Sequence, residues 1–273
     1  MALPEPLRSF WYAFEHLNLA TRRTRWGLVA TDVRFPQIYD ANKACVLETV
    51  PDLTLAEIRA ELHPAIDEAG IAFEHIEVMD LADRCPALDE LEATDSRDRP
   101  EVRAPDAVMV YQGDGLPRPA AGVVVQELVE PDEAFWRVYG ESRGEFGAPM
   151  GEEVVDQLVR RDRDVVAANG LRFFVATIGG SVAGFTTLIS LAGAGYVDNV
   201  VTLPEHRRRG VASATIADAV RASVARGDGA VFLLATEGSD AQRLYERLGF
   251  ALRYRADGFT VPRTPGPDRS PFL

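Results

Sequence analysis

The chain has 273 residues, of which 47% are hydrophobic, 26% charged and 8% aromatic, enough to bury a core in one large domain or two modest ones. This composition excludes a mainly disordered chain and a disulfide-stapled scaffold. Its formal charge of −13 repels phosphate backbones and anionic bilayers, so general nucleic-acid or membrane binding is not expected and a cationic substrate is mildly favoured.

Lys43 is the only lysine in the sequence. Cys45 and Cys85 lack C-x-x-C spacing and the four histidines are scattered, so no metal site and a reducing compartment are expected. The opening residues carry no charged-then-apolar leader and no later run reaches membrane-spanning length; a soluble, cytoplasmic protein is the expectation.

In chain order, Trp11, Tyr12, Phe14, Arg22, Arg23, Arg25 and Trp26 form an aromatic and arginine-rich opening that reads as packing or as a cleft wall. Lys43 to Leu47 reads as a strand. Thr54 and Glu57 form a capping box for a helix carrying Leu55, Ile58, Leu62 and Ile66. His75 to Met79 reads as a strand, Ala87 to Ala93 as a short helix and Ala107 to Tyr111 as a strand. Glycine and proline between Gly113 and Gly122 mark a linker. The expected organisation is therefore a front domain 1–112, a linker 113–122, a back domain 123–262 and an irregular tail 263–273.

The back domain opens with a strand, Val123 to Leu128, and a short helix carrying Phe135, Trp136 and Tyr139. Residues 140–151 read as a loop, and Val154 to Val166 as one amphipathic helix. Strands Phe173 to Ile178 and Val182 to Leu191 flank the hairpin signal Gly179-Gly180, and a third runs from Tyr196 to Val201. A helix from about Arg209 to Arg226 precedes a buried strand, Ala230 to Ala235. Ser239 and Gln242 cap a last helix to Leu248, and Phe250 to Tyr254 and Phe259 to Val261 read as a strand pair.

Two segments carry chemistry. Leu203-Pro204-Glu205-His206-Arg207-Arg208-Arg209-Gly210-Val211-Ala212 opens a helix directly after a strand, where converging backbone N–H groups and a helix dipole make an anion site and arginines clamp phosphate oxygens. A solvated helix start accounts for the same residues. The second segment, Ala241-Gln242-Arg243-Leu244-Tyr245-Glu246-Arg247-Leu248-Gly249-Phe250, ends a helix on a strand.

Together these two motifs, over residues 123 to about 261, resemble the GNAT superfamily of acyl-CoA-dependent N-acyltransferases. The resemblance implies an α/β (α+β) GNAT fold with a mixed central sheet flanked by helices. The front half, which repeats a strand, helix and strand order without either motif, resembles the degenerate GNAT-like domain of two-domain members. Carried over, the family pattern makes Arg207, Arg208, Arg209, Gly210, Val211 and Ala212 the pyrophosphate loop of acetyl-CoA, and Val200, Val201 and Thr202 the partners of its pantetheine arm. A backbone N–H near Val201 or Thr202 would polarise the thioester carbonyl.

Tyr245 matches the family's general acid toward the departing sulfur, and Asp198, read as alternating with Val200 and Thr202, is the candidate base. An alkylamine with pKa near 10.4 is about 99.9% protonated at neutral pH, so some group must take its proton. Glu237 is a second candidate base, while His206 fits the phosphate side or solvent better. Glu141, Glu145 and Glu152 could hold a cationic amine or merely face solvent. The implied activity is transfer of acetyl to an amine of a small molecule or peptide. The competing reading is a non-catalytic acyl-CoA or metabolite sensor, and a homodimer stays open.

Overall fold

The computed structural model describes residues 3–80, 84–98, 104–113, 115–143 and 151–263. The chain forms two compact units: residues 1–105 with 254–273, and residues 106–253.

The first unit begins with helix α1 (Glu5–Glu15), the hairpin β1 (Ala20–Thr24) and β2 (Gly27–Thr31), and strand β3 (Lys43–Val46). Helix α2 (Leu55–Glu68), strand β4 (Phe73–Val78) and helix α3 (Pro86–Asp98) follow. The Thr54 side chain accepts from the Glu57 N–H at 3.3 Å, so the capping box starts α2 where the sequence places it. Leu55, Ile58, Leu62 and Ile66 recur at helical spacing and pack with Trp26 of the β1–β2 turn and with Ala44 and Ile76 of the sheet. Strands β1, β2 and β3 pair antiparallel, then β3 and β4 pair parallel with Cys45 opposite Glu77.

The second unit contains β5 (Asp106–Tyr111), β6 (Val123–Leu128), α4 (Glu133–Arg143) and α5 (Glu152–Arg161). A π-helical turn, Asp162–Val166, and a 3-10 turn, Ala167–Asn169, lead to β7 (Arg172–Ile178), β8 (Ser181–Leu191) and β9 (Ala194–Thr202). Helix α6 (Val211–Arg226), strand β10 (Ala230–Thr236), helix α7 (Asp240–Arg247) and strand β11 (Phe250–Pro262) complete the chain. The strand order is β11-β5-β10-β9-β8-β7-β6. From β6 to β9 the pairing is antiparallel, β9 and β10 are parallel, and β10 and β5 are antiparallel.

Four expectations change. The compact unit starts at Asp106, not after the glycine and proline stretch, because β5 finds its hydrogen-bonding partner in β10, with Met109 opposite Leu233. The expected pair Phe250 to Tyr254 and Phe259 to Val261 is one strand, β11, whose residues Asp257–Pro262 pair with β4 instead of folding back. The amphipathic run Val154 to Val166 is not one α-helix, since α5 widens into the π-turn at Asp162. Of the expected loop 140–151, residues up to Arg143 extend α4, and 144–150 lie outside the described residues.

Candidate active site

Parallel pairing between β9 and β10 covers only Ala194, Gly195 and Tyr196 against Ala230, Val231 and Phe232. Tyr196 stacks on Phe232 at 4.9 Å between ring centroids, and beyond this pair the two strands part. A parting pair of parallel strands leaves backbone donors and acceptors of the β9 edge open to an extended ligand. Val200, Val201 and Thr202 all lie on this open stretch.

The splay is accompanied by a bulge. Thr187 faces Asp198 and Phe185 faces Val201, so β9 spends one residue more than β8 between these pairs. Asn199 supplies it, with φ of 50°, and its side-chain amide donates to the Thr187 hydroxyl at 3.1 Å. Asparagine tolerates this left-handed conformation, which most side chains resist.

The extra residue switches the faces of β9. Asp198 therefore shares its face with Val201, opposite Thr187 and Phe185, and does not align with Val200 and Thr202 as simple alternation implied. Gly184, opposite Thr202, is required by close packing: a Cβ there would run into the Val201 carbonyl oxygen.

After β9 the chain makes a 3-10 turn, Pro204–His206, and enters α6 through Arg207 to Gly210. Arg208 (φ 62°) and Gly210 (φ 81°) are both left-handed, and at Gly210 a Cβ would also lie 2.9 Å from the Ala120 methyl. Among the described residues, no backbone carbonyl accepts from the N–H groups of Arg208 to Ser213. Alternating backbone handedness at a helix start aims such donors into a concave anion cradle. Neighbouring Arg221 and Arg243 pair with Asp218 and Asp240, whereas Arg208 and Arg209 have no ion-pair partner among the described residues. Arg209 approaches only His206, at 3.4 Å, and Arg207, Arg208 and Arg209 are all exposed. Neither purpose of a surface arginine in an acidic protein, pairing or core support, accounts for Arg208 and Arg209 among the described residues.

Tyr245 lies on α7, which is started by the Ser239 hydroxyl accepting from the Gln242 N–H at 3.1 Å. It is buried in the cluster that holds Val197 of β9 and Leu233 of β10, with Val200 packed against it. Burial first, and then the charge of Asp198, push its pKa well up, so the hydroxyl stays protonated at neutral pH. Among the described residues nothing hydrogen-bonds it, which leaves its proton available to a ligand.

On the face shared by Asp198 and Val201, Tyr139 of α4 stacks on Phe185 at 5.2 Å. Its hydroxyl donates to Asp162 Oδ2 at 2.7 Å and accepts from Arg143 at 2.6 Å, while Arg143 and Asp162 form an ion pair. Sequence reading missed this network because the π-turn that aims Asp162 inward looks like uninterrupted helix. Of the other candidates, Glu141 and Glu152 are exposed, Glu145 lies outside the described residues, and Glu237 sits in the turn between β10 and α7.

Elsewhere, Arg22 pairs with Glu61, Arg25 with Asp52 and Glu57, and Arg23 lies over the Tyr12 ring at 3.9 Å, so the opening cluster serves packing within the first unit. Among the described residues, Glu15, Cys45 and Glu77 bring three ligand-type atoms within 4.8 Å of one another. Lys43, buried between Glu15 at 2.9 Å and Glu77, already supplies a cation there. A cavity of about 250 Å³ lies at the ends of β3 and β4, with Glu48, Asp80 and Arg84 among its lining.

Residues 133–250 match the acetyltransferase (GNAT) family. This part of the chain belongs to that family. A GCN5-related N-acetyltransferase from Kribbella flavida is similar over 97% of both chains, at 17% identity and a TM-score of 0.67. A functionally unknown conserved protein from Staphylococcus epidermidis matches 89% of this chain and 93% of its own, at 13% identity and 0.69. A tandem GNAT protein from the clavulanic acid biosynthesis pathway matches 78% of this chain and 70% of its own, at 16% identity and 0.54. These likenesses show that the GNAT fold extends over the whole chain. No curated protein matches the sequence. Among the described residues, no helix is long and apolar enough to cross a membrane.

Proposed function

We propose that the GNAT unit transfers acetyl from acetyl-CoA to an amine of a small molecule or peptide by direct attack, with Tyr245 as general acid and Asp198 as base. The observation that carries this reading is the cradle of open backbone donors and ion-pair-free arginines, Arg208 and Arg209, set at the mouth of the β9–β10 splay beside buried Tyr245. The donor set suits a pyrophosphate, which needs several N–H donors and positive charge and no covalent ligand.

In this reading Arg207 to Ala212 hold the pyrophosphate, and the open edge of β9 at Val200, Val201 and Thr202 pairs with the pantetheine amides. A β9 backbone N–H polarises the thioester carbonyl, which raises its reactivity without a nucleophilic side chain. Asp198, on the α4 face, receives the proton of the attacking amine, and Tyr245 delivers one to the departing sulfur. Two groups with opposed proton tasks sit within each other's electrostatic reach, as paired acid and base chemistry requires.

The first unit repeats the antiparallel and parallel strand pattern of the second, which supports its reading as a degenerate GNAT-like domain. After β3, however, the chain runs through Glu48 and Asp52 into α2 with no arginine and no glycine, a loop that repels phosphate. One coenzyme per chain follows.

Thiol release from acetyl-CoA over an amine panel tests the activity. Wild-type protein should release thiol in an amine-dependent way, and Tyr245→Phe should do so roughly 10²-fold more slowly. Tight acetyl-CoA binding without amine-dependent release would instead establish a sensor.

A further inference from the structure

Residues 115–122 lie between β5 and β6, outside the stretch 133–250 that matches the family, and form a strap along α6. Contacts along its length fix it within the second unit. Leu116 packs against the cluster that buries Tyr245, and the Pro117 carbonyl accepts from Arg221 Nη2 at 2.7 Å. At the other end the Ala120 methyl closes on Gly210, and the Ala120 carbonyl accepts from the Val123 N–H at 3.0 Å. Arg221 stands about three turns into α6 and Gly210 precedes the first, so the strap runs back along the helix toward its start.

Arg118 sits between these anchors. Pro117 fixes the backbone before it, and Pro119 confines Arg118 itself to extended conformation, so the chain sets its position without help from side-chain bonds. Two extended residues span at most about 7 Å, which leaves Arg118 within an arginine's length of the cradle that Ala120 touches. Its side chain is exposed, and among the described residues it makes no ion pair and no hydrogen bond. Arg221 beside the strap is differently placed, since it binds Asp218 and the Pro117 carbonyl.

Coenzyme A is a long molecule with a pyrophosphate in its middle and a 3′-phosphate monoester on its adenosine end. With the pantetheine arm in the splay and the pyrophosphate on the cradle, that monoester lies outside the cradle, whose donors are already engaged. It carries a charge of about −1.5 to −2 at neutral pH, and a guanidinium fork matches its oxygens. We propose that Arg118 binds this 3′-phosphate, so that the strap makes the protein select coenzyme A over its 3′-dephospho form. The inference rests on the acetyl-CoA reading and extends it to a residue outside the matched stretch.

The test is calorimetric titration of the full-length protein with coenzyme A and with 3′-dephospho-coenzyme A. Wild type should bind coenzyme A about tenfold more tightly than the dephospho form. Arg118→Gln should weaken coenzyme A about tenfold, leave the dephospho form within twofold, and so bind the two alike. The Arg208→Gln, Arg209→Gln protein should weaken both, as loss of pyrophosphate contacts requires. Arg118→Gln that weakens both ligands equally, or neither, overturns the proposal, as does wild type that binds both with one affinity. If Arg118→Gln does not fold, Arg118→Met, which keeps the aliphatic stem, is read against the same two outcomes. Wild type that binds neither ligand would instead refute the acetyl-CoA reading, and this inference would fall with it.

Discussion

At Tyr245 a phenol is kept neutral by burial and by the Asp198 charge, the state a proton donor needs. Tyr245→Phe should lower kcat by roughly 10² with acetyl-CoA affinity unchanged, measured by steady-state thiol release and calorimetry. Lys43 shows the opposite use of burial. Desolvation opposes its charge, but Glu15 and Glu77 hold its pKa well up, and Lys43→Met would leave two carboxylates without their cation. Denaturant unfolding should register a loss of about 3–5 kcal/mol.

Glu74 supplies a pH dependence of known sign. Burial pulls its pKa up, but Arg59 and His63 outweigh this and hold it below the ordinary 4.5. Its contribution to stability is therefore complete above about pH 4.5 and is lost as pH falls through the depressed folded value. Glu74→Gln should flatten that part of the stability curve, read from denaturant midpoints against pH. The place of Tyr245 on the last helix was legible in the sequence because the Ser239 and Gln242 cap and Gly249 bound that helix. The burial of Lys43 was not, since nothing local announces that Glu15 and Glu77 meet it.

Among elements, the loop into α6 is the most informative. Its glycine, its arginines and its position after a strand were readable from the sequence, because they are contiguous residues. Its left-handed Arg208 was not, because handedness at a non-glycine residue follows from the surrounding chain. A double variant, Arg208→Gln with Arg209→Gln, should weaken acetyl-CoA at least tenfold, about 1.4 kcal/mol, in calorimetry and leave the melting temperature unchanged. Strand β9 was placed correctly, yet the face of Asp198 was not, because a two-residue period assumes a regular strand and Asn199 inserts a bulge. Similarly, the valines of α5 continue a helical pattern through the π-turn, so apolar periodicity could not register the widening that turns Asp162 inward.

Across the whole chain, local signals identified nearly every strand and helix of the back half, but not which strands belong together. Strand β5 precedes the Gly113 to Gly122 stretch and still pairs with β10, and the end of β11 pairs with β4. Such pairings join residues far apart in sequence, which composition cannot encode. A fragment of residues 106–263 should consequently melt higher than one of residues 120–263, which loses the buried Ala107, Val108 and Met109 and bares the β10 edge. Equal melting temperatures would argue against Asp106 as the start of the unit.

The central claim, that one acetyl-CoA binds each chain at the Arg207 to Ala212 cradle, is tested most directly by calorimetric titration of the full-length protein. The wild type and Tyr245→Phe should each saturate at one coenzyme per chain with similar affinity, and the Arg208→Gln, Arg209→Gln protein should bind at least tenfold more weakly. Saturation at two coenzymes, or unaltered affinity in the double variant, would contradict it.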